Sequence, residues 1–284
     1  MKGLPMLIRQ VAIVPDDTDI EMAEILRVTS ALQKQVTRDF APIWEVHATV
    51  DGFASLEQVP LGYWPVTIMR DVEGAAGFHT DKNGQPFAVV EAGDSWSLTA
   101  SHEVLEMLAD PFGNRLIAGP SPKPGQGRVE FLVEVCDPPE DTDFAYTVND
   151  VLVSDFYTPR YFDPVRNDGV RYSFSNAISE PRQVLRGGYL SWHDSVSDHW
   201  FQQTFFGGAE PRTRDLGVLA REDRSLREII DELTPETKRL STLQPETPQL
   251  TGAITAAASS GRASTARAES LRAHIAAVKR RRSG

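Results

Sequence analysis

Cysteine is all but missing: Cys136 is the only one in 284 residues. A lone thiol excludes an intramolecular disulfide and cannot build a thiolate metal site unaided. Any metal bound here must therefore be held by nitrogen and oxygen. Long apolar runs are missing too, since none approaches the roughly 18 residues needed to cross a bilayer. No N-terminal stretch joins a basic start, an apolar run and a small-residue cleavage site, and the expectation is a cytoplasmic protein with no membrane partner. There is no Gly-x-Ser-x-Gly elbow and no Walker-type loop, and Gly74, Gly77 and Gly84 do not fit the dinucleotide fingerprint. Cys136 adjoins Asp137 rather than a histidine, so a cysteine nucleophile is unsupported.

Positive charge is scarce: 29 Lys and Arg stand against 40 Asp and Glu, for a net charge of -11. From Pro245 onward, however, seven Lys or Arg face only Glu246 and Glu269, a balance of +5, which leaves -16 on the remaining 244 residues. An acidic body argues against a nucleic-acid-binding core, whose footprint is a basic face. A basic tail, residues 245 to 284, is a candidate docking element for a protein partner.

Apolar content (40%) is ordinary, enough for one large core or two small ones. "VAIVP" (11 to 15) reads as a strand, and the acidic start and helical spacing of Ile20, Met22, Ile25, Leu26, Val28, Leu32 and Val36 read as a helix. "IWEVHATV" and "YWPVTIMRDV" read as strands, and Asn83-Gly84 marks a tight turn before the apolar "FAVV". A Gly- and Pro-free stretch from 95 to 109 follows. Beyond Pro111 come a loop, a strand "RVEFLVEVCD", a hairpin turning near Asn149-Asp150, irregular chain, an aromatic-rich segment 189 to 206 that reads as packed, and a helix over 223 to 233. The expected class is α+β. The expected domain spans 1–240, with subdomains of about 1–111 and 112–240, and 241–284 is expected to be a flexible Ala/Ser/Thr-rich linker ending in a short basic helix, "ARAESLRAHIAAVKRRR".

The chemistry concentrates in "SLTASHEVLEMLADP", residues 97 to 111. At about 100° per residue, His102, Glu106, Thr99, Asp110 and Glu103 share one arc of roughly 100°, while Leu98, Ala100, Val104, Leu105, Met107 and Leu108 cover the rest. Residues four apart lie about 6 Å apart along the axis, so His102 and Glu106 can both reach one cation above that face. Glu103, to the side, can take a proton from a water activated by that cation.

This stretch resembles the HExxH helix of the zincin metalloproteases, with glutamate in place of the second histidine. The resemblance extends over about residues 8 to 111 and implies a twisted mixed sheet, a backing helix, a short edge strand and an active-site helix under the sheet. Carried over by position, it implies His102 as first ligand of a divalent metal, zinc in that family, Glu106 at the second-ligand position and Glu103 as general base. "GFHT", with Phe78 and His79, then becomes the edge strand along which a peptide or protein substrate pairs. No third histidine follows at the metzincin distance, because Gly113 and Asn114 occupy that region.

The third ligand is expected among acids, and a more anionic donor set widens the choice of metal. Asp110 lies about 12 Å from His102 along a straight helix, too far for one ion unless the chain bends. In the expected strand 128 to 137, Glu134 sits among apolar neighbours and Asp137 at the strand end before two prolines; either is a candidate ligand, or a salt-bridge partner of Arg115 or Arg128. His193 and His199 read as packed or hydrogen-bonded residues rather than ligands. Tyr157 and Tyr161 are candidates for stabilising an oxyanion. The function expected from these residues is a metal-dependent hydrolase, most simply a peptidase; the alternative is a catalytically inactive module of the same fold that docks into a larger assembly through its tail.

Overall fold

The computed structural model describes residues 7–72, 75–221, 224–234 and 262–282. In chain order the elements are β1 (Ile8–Pro15), α1 (Met22–Lys34), a π-helical extension Gln35–Phe40, α2 (Ala41–Trp44), β2 (His47–Gly52), β3 (Trp64–Met69), β4 (Gly77–Lys82), β5 (Gln85–Glu91) and α3 (Trp96–Ala109). There follow β6 (Leu116–Pro120), β7 (Arg128–Leu132), β8 (Tyr146–Val148), β9 (Val151–Val153), β10 (Tyr189–Asp194), β11 (His199–Thr204), β12 (Arg212–Gly217), α4 (Leu226–Leu233) and α5 (Arg262–Arg282). The class is mixed α+β. No helix among the described residues is long and apolar enough to cross a membrane. The chain divides into two compact units, Met1–Val104 with Thr147–Val153 and Thr242–Gly284, and Leu105–Tyr146 with Ser154–Ser241. Helix α3 is continuous through that division.

The first unit is built on a five-stranded sheet in the order β2-β1-β3-β5-β4. β1, β2, β3 and β5 pair in parallel, and only the edge strand β4 runs antiparallel to its neighbour β5. Val11, Ala12, Ile13 and Val14 of β1 are all fully buried, as an apolar run at the centre of a parallel sheet requires. The β4–β5 turn uses Asn83 and Gly84 at φ +52° and +75°, the primed-turn geometry that the Asn-Gly pair favours, and Asp81 Oδ2 accepts the Gly84 N–H at 2.8 Å. The other expected hairpin, β8–β9, turns on Asn149 and Asp150, both at positive φ. One expected strand is shorter than its sequence suggested. Ile43 and Trp44 of "IWEVHATV" close α2, which ends in a left-handed Glu45, so β2 starts at His47.

Helix α5 lies on this sheet. Its Ala268, Leu271, Ile275 and Val278 are buried in one cluster with Ala12, Val14, Leu56, Val59, Val72, Phe78, Phe87 and Val89. Arg272 pairs with Asp16 at 2.9 Å and Glu57 at 2.7 Å, and its hydrogen bond holds the Glu57 carboxyl down from the ordinary 4.5 to about 2. Arg267 donates to the Pro60 and Tyr63 carbonyls at 2.9 and 2.7 Å. The basic helix expected near the end of the chain therefore forms and starts four residues earlier, and it is packed rather than flexible because its stripe of small and branched side chains completes the sheet's apolar face. The linker expected ahead of it falls mainly at 235–261, outside the described residues.

The second unit carries an antiparallel sheet in the order β12-β11-β10-β7-β6. Phe131 of β7 packs on Phe162 and on Trp192 of β10, and Trp192 stacks on Phe201 of β11. The aromatic segment 189 to 206, aperiodic in sequence, is the β10–β11 hairpin. Leu226 and Ile230 of α4 pack with Leu132 and Trp200. Ser225 caps α4 by accepting the Glu228 N–H at 3.1 Å.

Candidate metal centre

Helix α3 contains no Gly or Pro, and every residue from Leu98 to Asp110 is buried. Its polar arc is therefore not a solvated stripe. His102 is 8% exposed, Glu103 3%, Glu106 0% and Asp110 2%, and carboxylates withdrawn from water this far need compensating partners. The helix alone fixes His102 and Glu106 one turn apart, each offering a ligand atom within 4.8 Å of the other.

Within the first unit, Glu103 turns toward the edge strand. His79 Nδ1 of β4 lies 3.3 Å from Glu103 Oε2, and both side chains are almost wholly buried. The strand runs close over the helix: a Cβ at Gly77 would lie 2.7 Å from Thr99 Cγ2 and 3.1 Å from Glu103 Oε1. Phe78 and His79 are expected to lie on the edge strand along which a substrate pairs, with His79 a candidate for substrate contact. β4 is indeed the edge strand, but Phe78 is buried in the cluster under α5 and His79 is 1% exposed and directed at Glu103. The backbone of β4, rather than these side chains, is what the sheet edge offers.

Within the second unit, Glu106, Glu134 and Asp137 gather with ligand oxygens mutually within 4.8 Å, and all three are buried. Glu106 Oε1 accepts the Cys136 N–H at 3.1 Å. The Arg227 guanidinium, 1% exposed, bridges Glu106 and Glu134 through Nη1, and its Nε lies 3.3 Å from Asp231 Oδ2 one turn along α4. Glu134 Oε1 is buried with no hydrogen-bond partner.

Two ionised carboxylates within 4.8 Å of each other repel by at least about 3.5 kcal/mol at an effective dielectric constant of ~20. Three carboxylates buried around one guanidinium are costly to keep ionised unless protons, hydrogen bonds or cations offset their repulsion. The same field is felt nearby: burial first, then Glu106, pushes the Cys136 thiol well up, and burial with Tyr161 and Glu106 does the same to Tyr157. Within the second unit, the converging oxygens of Glu106, Glu134 and Asp137 and a Glu134 Oε1 with no hydrogen-bond partner are the kind of donor set that fits a divalent ion.

Several expectations are revised. β7 ends at Leu132, so Glu134 and Asp137 do not alternate along a strand. They lie in the irregular buried run 133–138, beyond the end of the β6–β7 pairing, which the Val133 N–H to Arg115 carbonyl bond extends at 3.0 Å. The salt-bridge partner of Glu134 is Arg227, not Arg115 or Arg128. Asp110 serves the turn after α3, its Oδ2 accepting the Arg115 N–H at 2.6 Å. His193 is held between Glu130 and Asp198, at 3.2 and 3.0 Å, and His199 pairs with Asp215 at 2.9 Å; both stand in surface pairs on the second sheet. Tyr157 and Tyr161 stack at 4.4 Å and are fully buried, with Tyr161 donating to the Gln183 carbonyl at 3.0 Å.

Asp137 is placed by a close backbone approach. The Tyr189 N–H donates to Asp137 O at 3.2 Å, and a Cβ at Gly188 would lie 2.5 Å from Asp137 O and closer still to Pro138 O. Neither backbone can yield cheaply, so Gly188→Ala is expected to cost about 3 kcal/mol in urea unfolding; a change under about 0.5 kcal/mol, the size of an ordinary surface substitution, would contradict that packing.

Neither a protein-family model, nor a curated protein, nor a solved structure matches the chain.

Proposed function

We propose that this chain is a metal-dependent hydrolase of zincin-like type that cleaves peptide bonds. The observation that carries the reading is the buried arc of α3, in which an imidazole and a carboxylate sit one turn apart and two further carboxylates converge on Glu106. In this reading His102, Glu106 and one of Glu134 and Asp137 hold a divalent ion, zinc by resemblance. Such an ion supplies Lewis acidity and lowers the pKa of water. Glu103 takes the proton from the attacking water and passes it to the leaving amine, and the His79 imidazole fixes the orientation of its carboxylate. The mixed sheet, its edge strand β4 and the helix directly after β5 support the same reading, since a mixed sheet, an edge strand and a following helix are what the resemblance implies. An edge strand can take an extended peptide as one more strand.

A second reading is favoured by Arg227. A guanidinium that already bridges Glu106 and Glu134 can make the cluster a purely structural ion network, in a module that docks elsewhere. Docking through residues 245–284 would then use the polar side of α5, because its apolar side is engaged with the first sheet. Metal content separates the two readings. After dialysis against zinc and removal of loosely bound ions, the hydrolase reading expects about one ion per chain, lost in His102→Ala with the fold retained by circular dichroism. Absence of bound ion from the folded wild type would favour the structural network.

A further inference from the structure

We propose that Arg227 is a built-in counter-cation that holds the metal-free site together and competes with the metal for Glu106 and Glu134. The inference rests on the metal-centre reading above and concerns how that centre is filled. It starts from the position of one atom. Nη1 of Arg227 touches Oε2 of both glutamates, so it occupies the point from which a single cation would bridge those two oxygens. A divalent ion accepts carboxylate oxygens at about 2.0–2.2 Å, and a guanidinium nitrogen and an ion in one such position exclude each other by size and by charge. Glu134 is 7% exposed and its second oxygen has no hydrogen-bond partner, so its acceptor capacity exceeds what the guanidinium uses.

The chain also provides for the guanidinium's withdrawal. Asp231 stands one turn further along α4 with Oδ2 3.3 Å from Nε, and it can retain the guanidinium when Nη1 lets go. The backbone need not move. The Arg227 N–H donates to the Gly113 carbonyl at 3.1 Å and the Leu226 N–H to Asn114 Oδ1 at 3.0 Å. Gly113 sits at φ +59°, and a Cβ there would lie 2.9 Å from Arg227 Cβ. The turn that ends α3 thus clamps the start of α4 and leaves the long side chain as the moving part.

Competition lowers apparent metal affinity by the fraction of molecules in which the guanidinium is withdrawn. If that fraction is below about one in ten, Arg227→Met is expected to bind zinc about tenfold tighter or more than the wild type in a chelator-buffered titration. Asp231→Asn, which removes the second anchor, is expected to bind it more weakly. A crystal structure of the wild type grown with zinc supplies a readout that needs no variant to fold: zinc between Glu106 and Glu134 with the guanidinium moved onto Asp231. Zinc bound with Arg227 still bridging both glutamates, or an unchanged zinc affinity in folded Arg227→Met, would overturn the competition and leave the hydrolase reading standing. No zinc bound by the wild type or by either variant would overturn both.

Discussion

Glu103→Gln is expected to keep its bound metal and lose between about 100- and 10,000-fold of its peptide hydrolysis, the range a general base contributes. The amide matches the carboxylate in shape and can still hydrogen-bond the His79 ring, which stands 3.3 Å away, so the packing of α3 against β4 should survive. What disappears is the capacity to accept a proton at Oε1 or Oε2. Because the proposed role of Glu103 is that of base and not ligand, metal stoichiometry is expected to be unchanged, and this separates loss of the base from loss of the centre. Turnover of a mixed fluorogenic peptide pool, measured alongside metal content, checks both halves; undiminished turnover in the variant would remove Glu103 from the mechanism.

Ile275→Asp should be among the most destabilising single changes in the first unit. Ile275 is 1% exposed, in the cluster that joins α5 to Ala12, Val14, Phe78, Phe87 and Val89. Losing the burial of an isoleucine removes about 1.5–3 kcal/mol, and withdrawing a carboxylate from water without a partner adds several more. A total above about 4 kcal/mol is a large share of the 5–15 kcal/mol that typically holds a domain. The expected result is either detachment of α5, seen as proteolysis between the helix and the rest of the chain, or a large drop in the unfolding midpoint. The ion pairs of Arg272 with Asp16 and Glu57 do not offset this, since partly exposed pairs contribute about 0–1 kcal/mol. An unfolding free energy within about 0.5 kcal/mol of the wild type would show that this face of α5 contributes nothing to the fold.

Much of this was legible in the sequence where the causes are local. The two primed turns follow from Asn83-Gly84 and Asn149-Asp150, which accept positive φ at low cost. The extent of α3 follows from the Gly- and Pro-free stretch before Asp110-Pro111, and the one-sided placement of His102, Glu103 and Glu106 from helical periodicity alone. The helix expected over 223 to 233 forms as α4, and Ser225 is a standard cap for it. What was not legible depends on partners far along the chain. Nothing near Glu106 marks Arg227, 121 positions away, as the residue that bridges it. The burial of the whole of α3 likewise comes from its surroundings, so the same arc in sequence is compatible with a solvated stripe. The strand reading of Glu134 failed because β7 stops when its neighbour β6 does, while the apolar alternation runs on through Val135. The packing of α5 was available in the spacing of Ala268, Leu271, Ile275 and Val278, at intervals of three, four and three, but an Ala-rich and basic composition reads as a solvated tail until the sheet face it covers is known.

The most direct measurement of the central claim is elemental analysis of the purified wild-type chain beside His102→Ala. The account predicts about one divalent ion per wild-type chain and essentially none in the variant, with both chains folded. A folded wild type that holds no ion after exposure to zinc would contradict it, and would leave Arg227 as the cation that the buried carboxylates were built to receive.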